Sequence, residues 1–136
     1  MDLETKRAYI RVRLMKAHED LVAARDNLAL GHRRVAVNRA YYAVFHSASA
    51  ALLWLDVERA KHSGVQSAFN RFLIKPGLIE EEYGQIYRVA RIWREEQDYS
   101  YQSRPLDQPS AAQIVGEAER FVARLERYLR EAGAIE

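Results

Sequence analysis

Arg39 and His46 are the residues of this sequence whose types and spacing could do acid–base chemistry on a phosphate ester. Seven positions is almost two helical turns, so both project from one face of a helix. A histidine that titrates near neutrality can move the proton of a 2′-hydroxyl or of a leaving oxygen. An arginine can hold the phosphate as charge develops. The pair therefore fits general acid/base cleavage of RNA. It fits a structural role too, in which Arg39 pairs with an acid on a neighbouring helix and His46 hydrogen-bonds in a helix–helix seam.

Three further groups could bind anions or bases. Arg91, Arg94, Asp98 and Tyr99 lie close on one helix, where two guanidiniums and a tyrosine can hold a phosphate or stack on a base. The same spacing also allows a routine Arg94–Asp98 i,i+4 pair. Lys61 and His62 precede a helix start, where backbone N–H groups attract anions; they could equally be two solvated loop residues. Tyr42 sits beside Arg39 and His46. No His/Asp/Glu spacing makes a metal site, no cofactor is implied, and no phosphate-cradling glycine loop or serine-nucleophile elbow is present.

These residues must be carried by helices, because no segment alternates with period two. The helix from Arg33 to Leu55 organises the rest. Val37, Tyr41, Val44, Phe45, Ala48, Leu52 and Leu55 form its apolar stripe. Its other face mixes Arg39, Tyr42 and His46 with Ala43, Ser49 and Ala50, too few charges for a solvated face. That composition predicts a surface that something approaches.

A first helix over residues 2–30 carries a stripe of Leu3, Arg7, Ile10, Leu14, Ala17, Leu21, Ala24 and Leu28, and Gly31 stops it. A short third helix is expected behind a Ser63/Gln66 capping box and ends at Pro76-Gly77. A fourth runs from about Glu80 to Tyr99 with Tyr83, Ile86, Tyr87, Ala90, Trp93 and Gln97 inward. Ser100 to Gln108 reads as the longest loop. A last helix starts at Pro109 with a Ser110/Gln113 capping box, and the tail Ala132-Gly133-Ala134 is expected to fray.

The whole, residues 1–136, reads as a single all-α domain, a bundle of four long helices and one short one. The absence of cysteine excludes disulfides, thiolate zinc and thiol catalysis. The net charge of +2 selects no partner class, although nine Lys/Arg against five Asp/Glu in residues 1–46 is compatible with nucleic acid. No apolar run spans a membrane, and the charged MDLETKRAYI start lacks the pattern of a signal peptide, so a cytoplasmic protein is expected.

Tyr-Tyr-Ala-x-Phe-His at Tyr41–His46, Lys-His-Ser-Gly at Lys61–Gly64 and Arg-x3-Asp-Tyr at Arg94–Tyr99, in that order, resemble the small prokaryotic HEPN-domain proteins over about residues 5–130. The resemblance implies an up-down four-helix bundle with an additional short helix, acting as a homodimer. Many such domains are metal-independent ribonucleases with an Arg-x4–6-His motif at a site where two protomers meet. Small members are often toxins paired with a minimal nucleotidyltransferase antitoxin, which can silence them by adding AMP to a tyrosine.

This chain departs from that pattern in one place. The motif is expected on a late helix, and here Arg94 is followed by Asp98-Tyr99 with no histidine. An ionised aspartate accepts only and cannot shuttle the proton as histidine does. The assignment that follows makes Arg39, His46 and Arg94 catalytic. It gives Tyr42, Lys61, His62, Arg91, Asp98 and Tyr99 to nucleotide or RNA binding, with Tyr99 the tyrosine placed for modification. The alternative is a non-catalytic nucleotide- or RNA-binding or adapter module of the same fold, and a third reading is a purely structural helical partner.

Overall fold

The computed structural model describes residues 1–99 and 104–136. Five α-helices follow one another, and no strand occurs among the described residues: α1 Leu3–Ala29, α2 Arg33–Trp54, α3 His62–Phe69, α4 Glu81–Tyr99 and α5 Gln108–Glu131. The arrangement is the expected all-α bundle with four long helices and one short one. Part of the expected Ser100–Gln108 loop, residues 100–103, lies outside the described residues.

The helix α2 is central and packs against α1, α3, α4 and α5. Its sequence explains this. Val37, Tyr41, Val44, Ala48 and Leu52 are buried, as the stripe predicts. Ala36, Ala40, Ala43, Ser47, Ala50 and Ala51 are buried as well, on the other side. Small side chains allow a neighbouring helix to come close, and α1 takes that seat with Ile10, Leu14, Ala17, Leu21, Ala24 and Leu28 turned inward. Of the face expected to be approached, Ala43 and Ala50 are buried within the chain, while Arg39, Tyr42, His46 and Ser49 remain half-buried. The stripe of α1 begins later than predicted, since Leu3 at the helix start is exposed.

Gly31, at φ 78°, makes the tight turn between α1 and α2 that the sequence anticipated. Beyond α3, the chain widens into a π-helical turn, Asn70–Ile74, with Lys75 N–H donating to Asn70 O at 2.8 Å. Helix α4 passes close to this turn at Gly84. A Cβ there would meet Asn70 Oδ1 at 3.3 Å, so glycine lets the two segments touch.

The caps differ from the sequence reading. Helix α3 starts at His62 with Lys61 as its extended cap and no side-chain cap bond, so Ser63 lies inside the helix. The cap of α5 is Asp107, whose carboxylate accepts from Ser110 N–H at 2.8 Å, and Pro109 occupies the first turn. Asp107→Ala removes the acceptor of an otherwise orphaned N–H. It should lower the thermal midpoint by a few degrees without changing helix content in circular dichroism.

The tail is docked, where fraying was expected. Gly133 and Ala134 donate to Arg130 O and Leu129 O, at 3.1 and 2.8 Å, and Arg7 Nη2 donates to Gly133 O at 2.9 Å. Ala134 is fully buried in a small cluster with Ile10, Leu14, Leu53 and Leu129. The larger core gathers Phe69, Tyr87 and Phe121, with ring centroids 5.2–5.8 Å apart, under Tyr41 and Tyr83.

Candidate functional site

Arg39 and His46 meet at one carboxylate, that of Asp20 on α1. Arg39 Nη1 donates to Asp20 Oδ1 at 3.0 Å. His46 Nε2 stands 3.7 Å from Asp20 Oδ2, within ion-pair reach but longer than a hydrogen bond. Asp20 is only 9% exposed. The side chains of Arg39 and His46 are half-buried, at 36% and 24% exposure.

Asp20 is the residue that sequence reasoning missed. Its signal is an acid on the edge of the inward stripe of α1, between Ala17, Leu21 and Ala24. An acid so placed needs a cation across the seam.

The network extends beyond this seam. Arg39 Nε and Nη2 donate to Asn38 Oδ1 at 3.1 and 2.6 Å. Asn38 Nδ2 donates to Asp98 Oδ2 at 3.0 Å, and Asp98 lies 3.5 Å from Arg34. A continuous polar chain therefore joins α1, α2 and the end of α4. Among the described residues, three of the five Arg39 N–H groups are used in it, which leaves two for a ligand.

Burial pushes His46 below its usual pKa and outweighs the opposite pull of Asp20; Lys16, Arg39 and Arg13 push the same way as burial. Burial also raises the Asp20 carboxyl, opposed by the charges of Arg39 and His46. The imidazole is therefore favoured in the neutral form that can accept a proton.

The second sequence cluster joins the first through Tyr42. Arg39 and Arg94 both pack on the Tyr42 ring, with Cζ to centroid distances of 5.0 and 5.7 Å. Arg94 turns inward and is 7% exposed, over the Tyr41 ring at 4.3 Å. The i,i+4 pair with Asp98 does not form, because Asp98 goes to Asn38 and Arg34. The Arg94 Nη1 donates to the Tyr99 hydroxyl at 3.4 Å, and its Nε–H has no partner among the described residues. A buried guanidinium served by tyrosine rings and one hydroxyl retains capacity for an anion. Tyr99 itself is 74% exposed.

Of the remaining candidates, His62 joins this surface and Arg91 and Lys61 stand apart from it. The His62 ring packs tilted against Phe45 at 4.4 Å and meets the Tyr42 ring edge-on at 5.6 Å. Arg91 pairs with Glu95 at 3.1 Å, the other i,i+4 pair of this helix. Lys61 is exposed at the start of α3. On one side of His46 lies a groove of about 230 Å³ lined by Arg13, Lys16, Phe45, Glu58 and Arg59. On the other side of Asn38, Arg34, Val35, Asp98 and Tyr99 line a groove of about 390 Å³. Among the described residues, no group of three or more His, Asp or Glu is placed to hold a metal ion.

The HEPN domain model matches residues 10–128, which takes in every residue named at this site. The chain belongs to the HEPN domain family. This HEPN chain is 40% identical over 115 residues to "Putative toxin MJ0605" of Methanocaldococcus jannaschii, covering 85% of this chain and 84% of that one. It is 34% identical over 96 residues to a "UPF0332 protein" of Thermotoga maritima, covering 71% and 72%. "Putative toxin MJ0142" of M. jannaschii is 30% identical over 99 residues, covering 73% and 67%. No helix among the described residues of the HEPN chain is long and apolar enough to cross a membrane.

Proposed function

We propose that this HEPN protein is the toxin-like member of a pair with a minimal nucleotidyltransferase, and that it acts on RNA at the surface made by Arg39, His46 and Arg94. The observation that carries this reading is the buried guanidinium of Arg94. It shares the Tyr42 ring with Arg39 and has no carboxylate partner among the described residues. Two arginines about one tyrosine, beside a neutral histidine, suit a phosphodiester flanked by bases.

In the cleavage step, His46 takes the 2′-hydroxyl proton. The 2′-oxygen attacks the adjacent phosphorus and the bond to the 5′-oxygen breaks. A cyclic phosphate remains, and the His46 imidazolium passes its proton to the leaving 5′-oxygen, which restores the neutral ring. Arg39 and Arg94 hold the phosphate as charge develops. The protein works as a homodimer, with the Arg39/His46 faces of two copies opposed. Tyr99, exposed and in contact with Arg94, is the acceptor of AMP from the partner. Such an addition would place a bulky anion over the Arg94 position and block it.

A second reading is supported by the engagement of Arg39 with Asp20 and Asn38: the same surface binds a nucleotide or RNA and cleaves nothing. Expression with and without a nucleotidyltransferase separates the two. Cleavage requires growth arrest with RNA loss, relieved by the partner together with an AMP on Tyr99. RNA that is retained by the purified protein and left intact selects the binding module.

Arg94→Met tests the anion role by a different route. Removing a buried cation that lacks a carboxylate leaves stability unchanged or raised. RNA retention in a filter-binding assay should nevertheless fall at least tenfold. A structural Arg94 gives the reverse pattern, with a lowered thermal midpoint and unchanged retention.

A further inference from the structure

Asp20 divides its two oxygens between the two groups of the proposed chemistry, and it touches no other charged side chain at ion-pair distance among the described residues. We infer that Asp20 is the positioning residue of His46: it fixes the tautomer of the ring and sets its proton affinity. This rests on His46 being the acid/base, but its consequences can be measured whether or not RNA is cut.

The geometry first fixes the nitrogen that reacts. Nε2 stands 3.7 Å from Asp20 Oδ2, beyond hydrogen-bond length but near enough for the carboxylate's charge to favour the neutral tautomer that carries its proton on that side. Nδ1 is then the unprotonated nitrogen, the one able to accept a proton from a ligand. Asp20 cannot easily be replaced in this role by another acid. It is 9% exposed and seated among Ala17, Leu21 and Ala24 on the inward side of α1. Glu58 lines the adjoining groove, but Arg13 Nη2 holds it at 2.6 Å.

The charges about His46 give the direction of the second effect. From α1 come Asp20, Arg13 and Lys16; from α2, Arg39. Glu58 and Arg59 enter the groove from the segment before α3, and His62 reaches the same Phe45 ring from α3. The cations drive the proton from His46 and burial does the same, whereas Asp20 is the acid that holds it. A ring with only cations around it would accept a proton more weakly still. One carboxylate restores part of that affinity, and Arg39 competes for it.

The test is a pH titration of the histidine rings by long-range ¹H–¹⁵N NMR on the full chain. The His46 signal is assigned by its loss in His46→Gln. Wild type should show the neutral ring protonated at Nε2. In Asp20→Asn, which keeps the shape, the His46 midpoint should fall by about one unit, and Asp20→Glu should return part of the shift.

A neutral wild-type ring protonated at Nδ1 overturns the inference, even if Asp20→Asn fails to fold. So does an unmoved or raised His46 midpoint in a folded Asp20→Asn. Absence of RNA cleavage in wild type, with the tautomer and the shift as expected, counts against the nuclease reading alone. Cleavage with an unmoved midpoint counts against the role of Asp20 alone.

Discussion

His46→Ala is expected to lower RNA cleavage by about 10²–10⁴-fold, the usual contribution of a positioned acid/base group, and to relieve growth arrest on expression. The fold should survive. The ring is a quarter exposed, Asp20 at 3.7 Å is its one ion-pair contact among the described residues, and Asp20 keeps its shorter bond to Arg39 at 3.0 Å. Alanine is also at home in this helix, which already carries it at positions 40, 43, 48 and 50. The variant therefore removes proton transfer with little else, and circular dichroism together with RNA retention verifies that. Retained RNA with lost cleavage places His46 in chemistry. Equal loss of both places it in binding, and unchanged cleavage removes it from the site.

Phe121→Ala should cause the largest loss of stability, about 3–5 kcal/mol for an aromatic removed from a closed core. Phe121 is fully buried. Its ring lies 5.2 Å from Phe69, 5.8 Å from Tyr87 and 6.3 Å from Tyr83, so three elements lose a common contact. Its neighbours cannot collapse easily into the space, since Tyr87 is itself fixed between Phe69 and Tyr41. The thermal midpoint should fall by roughly 10–20 °C for a chain of this length. Phe121→Leu, which restores most of the volume, should recover more than half of that. Equal losses in the two variants would show that ring packing, and not volume, holds this core.

Much of the fold was legible because long amphipathic helices repeat their signal. Ile10 to Leu28, Val37 to Leu52 and Ile114 to Leu129 each present several turns of apolar residues, and these stripes are buried in the structure apart from the half-buried Phe45 and Tyr128. Short-range signals were less secure. Ser63/Gln66 and Ser110/Gln113 both satisfy the capping-box pattern, yet α3 begins one residue before Ser63 and the N–H of Ser110 is taken by Asp107. The tail reads as weak because it is short and small, but Gly133 turns the chain back so that Ala134 covers Leu129.

The candidate site was legible as far as one helix could show it. Arg39, Tyr42 and His46 share a face by spacing alone. Their meeting with Asp20 and Arg94 depends on how α1 and α4 cross α2, which no periodicity within one segment reports. The inward turn of Arg94 has the same origin. It lies one position past the apolar residue Trp93, and the tyrosine rings of α2, with the Tyr99 hydroxyl, make burial tolerable there.

The central place of α2 has a consequence for how the molecule opens. Backbone amides exchange with solvent through local unfolding, and the segments embraced on most sides open last. Since α2 is packed by four helices, its amides should be the slowest to exchange, and Arg39, Tyr42 and His46 share that slow unit. Tyr99 and His62 belong to helix ends, where opening costs least. The bed of the site is therefore fixed while its rim can breathe. A ligand can displace Tyr99 from Arg94 without altering the register between Arg39 and His46.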